Sequence, residues 1–342
     1  MTIDEIKSLL KTSDYDFLKT NEHLGKNVIL LTLGGSHAYG TNIEGSDVDI
    51  RGCALNQKDE ILTNKNFEQF VNEATDTTIY SFNKLMSLLI NVNPNVIEML
   101  GNKPEHYVYL SPIGKELIDN RNLFLSKKCI HSFGGYANQQ LRRLDNKAVR
   151  LVSQAEREKH ILNSIENASY SFKDWFFSYD KDAIKLYIDK TDREEYDTEI
   201  FMDINLHHYP LRDYKGMWST MNNIVKEYSK IGKRNTNAIE HGKLAKHMMH
   251  LVRLYLMCLD ILNNGEIITY REKDHNFLMD IRNGKYLDDN KQPTPEFFDI
   301  VDDLESKLDM AKRTTDLPDN PDYKKINEFL ASVNERVVKG EI

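Results

Sequence analysis

Two glycines, a serine and two closely spaced aspartates occur together in the segment LLTLGGSHAYGTNIEGSDVDIRG, residues 30–52. Gly34 and Gly35 follow an apolar run, and Ser36 adds a hydroxyl donor. A glycine backbone lets a phosphate group approach closely because no side chain intervenes. Exposed N–H groups at such a turn also bind anions. The first half of the segment therefore indicates a site for a phosphate-bearing substrate.

Asp47 and Asp49 lie two residues apart at the start of a predicted strand, residues 48–55. Because alternate residues of a strand point to one face, we expect both carboxylates to meet at one point. Clustered carboxylates repel each other unless a cation lies between them. Mg²⁺ prefers oxygen ligands and keeps substrate phosphates in its coordination shell. The second half of the segment therefore predicts a magnesium site beside the phosphate site.

Two better-known glycine and aspartate motifs do not fit this segment. Gly35 and Gly40 have the spacing of a Walker phosphate loop, but Thr41 stands where that loop needs lysine. The glycine spacing also differs from that of a dinucleotide-binding fold. A calcium loop starting at Asp47 would place Arg51 at its fifth position and Lys58 at its twelfth, where glutamate is required.

The elements that must position these residues form a small α/β unit at the start of the chain. Strands are predicted at 27–33, 48–55 and 77–82, and helices at 3–20, 83–92 and 95–101. After residue 108 the pattern becomes mainly helical, at 112–119, 126–175, 216–230 and 241–263, with two C-terminal helices around a loop at 314–323. Residues 198–216 have strand-like patches and no clear assignment. We expect two domains, 1–108 and 109–342.

Composition restricts the class of protein. The 342 residues are 40% hydrophobic and 29% charged, which is typical of a globular chain. A formal net charge of -8 argues against general nucleic-acid binding, so such contacts would need a local basic patch. The three cysteines are far apart and show neither zinc nor disulfide spacing. The acidic N-terminus is no secretory signal, and no apolar run has membrane-spanning length, so we expect a cytoplasmic protein.

The segment GGSHAYGTNIEGSDVDIRG resembles the signature of the DNA polymerase beta superfamily of nucleotidyltransferases, a Gly-Ser pair followed after a loop by Asp-x-Asp. The form GSHAYG…SDxDxRG is similar to predicted nucleotidyltransferases associated with RNA repair operons in bacteria and phages. Three later segments are also similar, NKLMSLLINVNPNVIEML, FLSKKCIHSFGGYANQQLRRL and KHMMHLVRLYLMCLDILNNGEI with DIRNGK. Together they cover most of residues 30–290.

The resemblance implies an α+β fold, with a small nucleotidyltransferase-type mixed sheet and a following helical domain. It also implies two divalent cations, Mg²⁺ or Mn²⁺, and a third carboxylate on a later strand. Asp76 is the candidate for that carboxylate, and Glu73 is the alternative. In this reading Asp47, Asp49 and Asp76 bind metal, and Asp76 accepts the proton of the attacking hydroxyl.

The same resemblance assigns the phosphate loop. Gly35 and Ser36 would hold the β and γ phosphates of a nucleoside triphosphate. His37 lies within this loop and would contact a phosphate or the incoming base. The reaction would move a nucleoside monophosphate to a hydroxyl acceptor and release pyrophosphate.

A basic stripe runs along the predicted helix at 242–262. Its members step by three, four and three residues, as neighbours on one helix face do; they are Lys243, Lys246, His250 and Arg253. Such a stripe would bind a triphosphate or a nucleic-acid backbone, or it would be an ordinary solvated face. A second candidate patch combines Lys127, Lys128, Tyr136, Arg142 and Arg143. Arg271 and Arg282 match later family motifs, with no mechanism evident beyond their charge.

The sequence thus favours an enzyme with a nucleoside triphosphate as substrate and an RNA end as acceptor. Nucleotidylylation of a partner protein is an alternative within the same chemistry. A catalytically silent nucleotide sensor is a rival from another class. If the chain is phage-encoded, the expected location is the host cytoplasm, with no membrane association.

Overall fold

The computed structural model describes residues 1–134, 137, 158–159, 162, 183–192, 198–219, 222, 243–289 and 293–342. The chain divides into two compact units. The first unit comprises 1–140, 249–285 and 295–342, and the second comprises 141–248 and 286–294. The domain boundary after residue 108 stays a prediction.

The first unit is built on a mixed five-stranded sheet. Its strands are β1 Val28–Leu33, β2 Ile50–Ala54, β3 Gln69–Asn72, β4 Thr77–Ser81 and β5 Tyr107–Leu110, in the order β3-β4-β2-β1-β5. Strands β2 and β4 pair in parallel, and the other neighbours pair antiparallel. The predicted α+β class, with a mixed sheet first and mainly helical segments later, is confirmed.

Eleven helices with complete bounds accompany the sheet in the described residues. They are α1 Ile3–Leu9, α2 Phe17–Thr20, α3 Gly35–Tyr39, α4 Lys58–Leu62, α5 Phe82–Ile90, α6 Pro94–Ile97, α7 Pro112–Asp119, α8 Lys243–Asn264, α9 His275–Arg282, α10 Pro295–Thr314 and α11 Tyr323–Lys339. Short 3-10 turns include Glu98–Gly101 and Pro104–His106. Among the described helices, none is long and apolar enough to cross a membrane.

Apolar side chains cover both faces of the sheet, and strand β1 is buried along its whole length. On one face Leu30 packs in a cluster with residues of α5, α7 and α8. On the other face Leu31 and Leu33 pack with Ile6 of α1. Burial of each such side chain stabilises the fold by about 1.5–3 kcal/mol. The ends of β1 and β2 are therefore held firmly from both sides.

Two element predictions differ from the structure near the N-terminus and the aspartates. The helix predicted over 3–20 is split into α1 and α2, because Thr12 between them adopts an extended backbone conformation with φ of -75° and ψ of 166°. The strand predicted to begin at residue 48 begins at Ile50 instead. Asp47 and Asp49 therefore precede strand β2.

The second unit contains an antiparallel pair of strands, β6 Ile184–Lys190 and β7 Thr198–Ile204. Seven residue pairs align from Ile184 opposite Ile204 to Lys190 opposite Thr198. Strand β7 and a helical stretch at 214–219 occupy the region that the sequence left without assignment. The long helix predicted over 126–175 lies mostly outside the described residues.

Candidate active site

The glycine-rich segment forms a turn between β1 and a short helix. The Gly34 amide donates to the Asp49 carbonyl at 2.8 Å, which extends the pairing of β1 with β2 by one bond. Gly35 then adopts a φ of 55°, a left-handed conformation that favours glycine. Helix α3 begins at Gly35 and ends at Tyr39, and the amide of the following residue, Gly40, donates to the Ser36 carbonyl. The chain thus reverses within a few residues at the edge of the buried strand.

The carboxylate of Asp49 lies directly against this turn. A Cβ atom placed on Gly35 would be 1.9 Å from Asp49 Oδ2 and 2.6 Å from Asp49 Cγ. No side chain can occupy that volume while the carboxylate stays there. Gly35 is therefore required for two reasons, its backbone conformation and the space that it leaves for Asp49.

Arg51 joins Asp49 to Asp76. Its Nη2 atom lies 3.1 Å from Asp49 Oδ1 and 3.2 Å from Asp76 Oδ1. The parallel pairing of Ile50 with Thr77 brings the two aspartates to neighbouring strand ends. Of the carboxylates that the sequence singled out, Asp49 and Asp76 are the pair that the structure brings together around one cation.

The other acidic candidates are placed differently. Asp47 and Glu73 are exposed and make no ion pair with Arg51, whereas Asp76, which is exposed in the same β3–β4 turn as Glu73, does. Within the described residues no group of three or more histidine, cysteine, aspartate or glutamate side chains could hold a metal ion. The predicted three-carboxylate arrangement is thus not assembled in this part of the chain, whereas the pair of Asp49 and Asp76 offers the hard oxygen ligands that Mg²⁺ and Mn²⁺ prefer.

The residues after Gly35 turn inward. Ser36 and His37 are buried, with 6% and 7% exposure. The Nε2 atom of His37 has no hydrogen-bond partner among the residues described. Burial lowers the pKa of His37, and a backbone interaction with Ser46 opposes that shift. His37 is therefore a neutral imidazole inside the loop, with one ring nitrogen available to a water molecule or a ligand.

Burial of His37 predicts a pH dependence of stability. Its folded pKa is lowered, so the unfolded chain binds the proton more readily, and the stabilisation present above about pH 6.5 is lost as pH falls through that value. We expect His37→Asn to lose less unfolding free energy than the parent between about pH 7.5 and about pH 5.5, because the buried imidazole is removed. Urea denaturation at both pH values measures this. His131→Asn, at an exposed position, should keep the parent pH dependence, and an unchanged slope in His37→Asn would contradict the assignment.

A buried ionic cluster holds the end of α3. The Tyr39 hydroxyl donates to both oxygens of Glu98, at 3.0 and 3.1 Å. Arg253 Nη1 donates to Glu98 Oε2 at 3.1 Å, and the Arg253 guanidinium lies 3.7 Å from the centre of the Tyr39 ring. Glu98 and Arg253 are 6% and 4% exposed. Burial raises the pKa of Tyr39, with Glu98 adding to the shift, so its hydroxyl remains a donor. We call Tyr39, Glu98 and Arg253 the loop anchor.

Two further arginines hold the backbone of the same loop. The Arg271 amide donates to the Tyr39 carbonyl at 3.0 Å, while its guanidinium pairs with Asp260 and Asp274. Arg282 Nη1 donates to the Thr41 carbonyl at 2.6 Å. Sequence reasoning identified both arginines by motif but gave them no mechanism. What the sequence did not reveal is that both arginines bind the backbone of one loop, the residues that follow Ser36.

The predicted basic stripe on α8 is divided by burial. Arg253 is buried in the loop anchor, so direct contact with a nucleotide would require that cluster to open. His250 is half-buried, and its ring meets the Tyr39 ring edge-on at 6.0 Å. Lys246 is exposed in the second unit, and the Lys243 side chain lies outside the described residues. Nucleotide binding by this stripe stays a prediction.

The second basic patch is described only in part. Lys127 pairs with Asp319 at 3.0 Å, and Lys128 donates to the Tyr323 hydroxyl at 2.6 Å. Both lysines are thus occupied by side-chain partners in this structure. Three other members of the patch lie outside the described residues: Tyr136, Arg142 and Arg143.

Comparison with known proteins agrees with the motif. Residues 11–163 match the family described as RlaP, the RNA repair pathway DNA polymerase beta family. The predicted resemblance is therefore confirmed for this segment, which contains the glycine turn and all three candidate aspartates. An uncharacterized 38.9 kDa protein in the nrdC-mobD intergenic region of Enterobacteria phage T4 is 24% identical over 309 residues, covering 82% of this chain and 89% of that protein. No solved structure matches the chain.

Proposed function

From the match of residues 11–163 to an RNA repair family of the DNA polymerase beta type, we propose that this protein is a metal-dependent nucleotidyltransferase. It would transfer a nucleoside monophosphate from a nucleoside triphosphate to a hydroxyl, and the acceptor would be an RNA end. The observation that carries the proposal is the position of the Asp49 carboxylate. It lies against the Gly35 turn and shares the Arg51 guanidinium with Asp76.

The fit of the site to a divalent cation rests on two features. Asp49 and Asp76 already share a positive group, the Arg51 guanidinium, and Gly35 leaves a space that the Asp49 carboxylate fills. Asp49 and Asp76 would hold Mg²⁺ or Mn²⁺, and Asp47 is the candidate for a further ligand. A bound cation would supply neutralisation of the phosphate charge. The expectation of two ions rests on the resemblance.

The protein's own residues would bind the substrate and accept a proton. Asp49 and Arg51 take the space beside Gly34 and Gly35, and Ser36 would donate to a phosphate oxygen of the triphosphate. His37, buried and neutral, would donate to or accept from the substrate through Nε2. Asp76, exposed in the turn just before β4, would accept the proton of the attacking hydroxyl. Such catalysis depends mainly on alignment and on stabilising negative charge.

The choice of an RNA end as acceptor is supported by the description of the matching family. No contact of the described residues favours a protein acceptor, so nucleotidylylation of a partner protein remains an outcome that the experiment separates. The predicted catalytic domain, residues 1–108, contains every residue named in this proposed site. The basic stripe on α8 lies outside that range.

The experiment is to incubate the purified protein with nucleoside triphosphates labelled at the α phosphate, divalent cation, RNA oligonucleotides with different ends, and cell lysate. We expect label in RNA, and we expect Asp49→Asn to reduce it by at least about 100-fold, because a carboxylate that would hold the divalent cation is lost. Asp309→Asn, at an exposed position of α10, is the matched control and should retain parent activity. Label in a protein band would show that the acceptor is a protein. Unchanged transfer by Asp49→Asn would refute the site.

A further inference from the structure

Arg51 donates four hydrogen bonds at the candidate site. Its Nη2 atom donates to Asp49 Oδ1 at 3.1 Å and to Asp76 Oδ1 at 3.2 Å. Its Nη1 atom donates to the carbonyls of Asp76, at 2.7 Å, and Ile50, at 3.1 Å. One nitrogen is thus placed between two carboxylates, while the other is held by the backbone.

The course of the Arg51 side chain is also fixed by the glycine turn. A Cβ atom on Gly34 would lie 2.9 Å from Arg51 Cγ, so the arginine crosses the turn where Gly34 leaves room for it. The Arg51 side chain is 22% exposed, compared with 18% for Asp49 and 55% for Asp76. The contact is therefore partly shielded from water but open enough for exchange with solutes.

A guanidinium nitrogen and a divalent cation cannot both occupy the position between the Asp49 and Asp76 carboxylates. The Nη2 atom is within hydrogen-bonding distance of both carboxylates, and a cation shared by them needs those oxygens at about 2.0–2.1 Å for Mg²⁺. The arginine supplies one positive charge to two negative groups, whereas a divalent cation supplies two. The exchange is therefore favoured electrostatically when the metal arrives with its substrate.

We propose that Arg51 is a built-in counter-ion of the metal-free site. It holds Asp49 and Asp76 together before the metal binds, and its Nη2 atom leaves both carboxylates when the metal binds. The contacts of Nη1 with the Ile50 and Asp76 carbonyls keep the side chain nearby throughout. Arg51 is thus a positioning residue, and this inference rests on the proposed function only in placing a divalent cation at Asp49 and Asp76.

The test is equilibrium Mn²⁺ binding to the full chain, measured by electron paramagnetic resonance of the unbound ion. We expect Arg51→Gln to bind Mn²⁺ roughly fivefold more tightly than the parent, because the competing bridge is removed. Arg51→Lys keeps the charge but lacks the fork that reaches both carboxylates and both carbonyls. We expect it to bind roughly twofold more tightly. Lys26→Gln, an exposed cation beside the other end of β1, controls for net charge and should change affinity by less than Arg51→Lys.

A second measurement observes the displacement itself. In the parent protein, the guanidinium ¹⁵N signal of Arg51, assigned by its absence in Arg51→Lys, should shift on saturation with Mg²⁺. An unmoved signal, or weaker Mn²⁺ binding in both Arg51 variants, would overturn the counter-ion role. Equal affinity of parent and Arg51→Lys would also overturn it, since charge alone would then explain Arg51→Gln.

The outcomes separate this inference from the proposed function. If the parent binds no Mn²⁺ and Asp49→Asn changes nothing, the metal site fails, and the inference fails with it. If Mn²⁺ binds but the Arg51 variants do not bind it more tightly, only the inference fails. If the Arg51 pattern holds but no nucleotidyl transfer is found, the inference stands, and the reaction assigned to the site is wrong.

Discussion

Glu98→Ala is expected to lower the free energy of unfolding by about 3–5 kcal/mol, because it leaves Arg253 as an unpaired charge in the protein interior. Arg253 is 4% exposed and donates to Glu98 at 3.1 Å, and the Tyr39 hydroxyl would lose its acceptor in the same substitution. A loss of this size is a large part of the stability of an ordinary domain, about 5–15 kcal/mol. Urea denaturation of parent and variant measures it.

A double substitution separates the charge from the packing. Glu98→Met combined with Arg253→Met removes both charges and keeps similar volume, so it should be less destabilised than either single substitution. Tyr39→Phe removes only the hydroxyl and should cost about 1–3 kcal/mol. A loss below about 1 kcal/mol in Glu98→Ala would show that the loop anchor does not hold the turn in place, and that Arg253 is accessible to other partners.

Gly35→Ala is the substitution with the largest expected effect on activity. The new methyl group would fall 1.9 Å from Asp49 Oδ2, so the carboxylate must move, and the φ of 55° would be strained as well. Displacement of a catalytic group by about 1 Å can cost about 100-fold in rate. We expect at least that loss of nucleotidyl transfer, together with about 1–2 kcal/mol of destabilisation from the left-handed backbone.

Gly45→Ala is the matched control for that experiment. Gly45 lies in the same loop with a φ of 78°, but a Cβ atom there would meet nothing within 4 Å. It should show a similar loss of stability from backbone strain and little loss of activity. Equal activity losses in the two variants would mean that backbone strain, and not the position of Asp49, explains Gly35→Ala. Full activity of Gly35→Ala would remove Asp49 from the proposed site.

The strands around the site could be predicted because each is short, apolar and ended by turn residues. The prediction 27–33 corresponds to Val28–Leu33, and the prediction 77–82 corresponds to Thr77–Ser81. Strand β5, which pairs with β1, was not predicted. Its sequence, Tyr107–Leu110, is only four residues long and is partly exposed, so it has too few residues to show alternation.

The glycine turn shows both the strength and the limit of local patterns. Sequence reasoning selected Gly35, Asp49 and Asp76, and the structure brings Asp49 next to Gly35 and within reach of a cation shared with Asp76. It used Arg51 as evidence against a calcium loop and as part of the signature SDxDxRG, and gave it no role of its own. Its bridging role depends on the parallel pairing of β2 with β4, which no short segment reveals.

The loop anchor illustrates why long-range ionic contacts escape such reasoning. Glu98 and Arg253 are 155 residues apart in sequence, and Glu98 lies in a 3-10 turn with no pattern of its own. The basic spacing along α8 singled out Arg253 as one of four members of a stripe. Spacing alone does not distinguish a cation that lines a cleft from one paired with a buried carboxylate, and only the fold supplies the partner.

The most direct test of the account is a comparison of two labels on the same nucleoside triphosphate. With divalent cation and an RNA acceptor, label at the α phosphate should become covalently attached to the acceptor, and label at the γ phosphate should appear in pyrophosphate. Asp49→Asn should reduce both signals together, by at least about 100-fold. Transfer of the γ label to the acceptor, or α-label transfer that persists in Asp49→Asn, would contradict nucleotidyl transfer at the turn formed by Gly35 and Asp49.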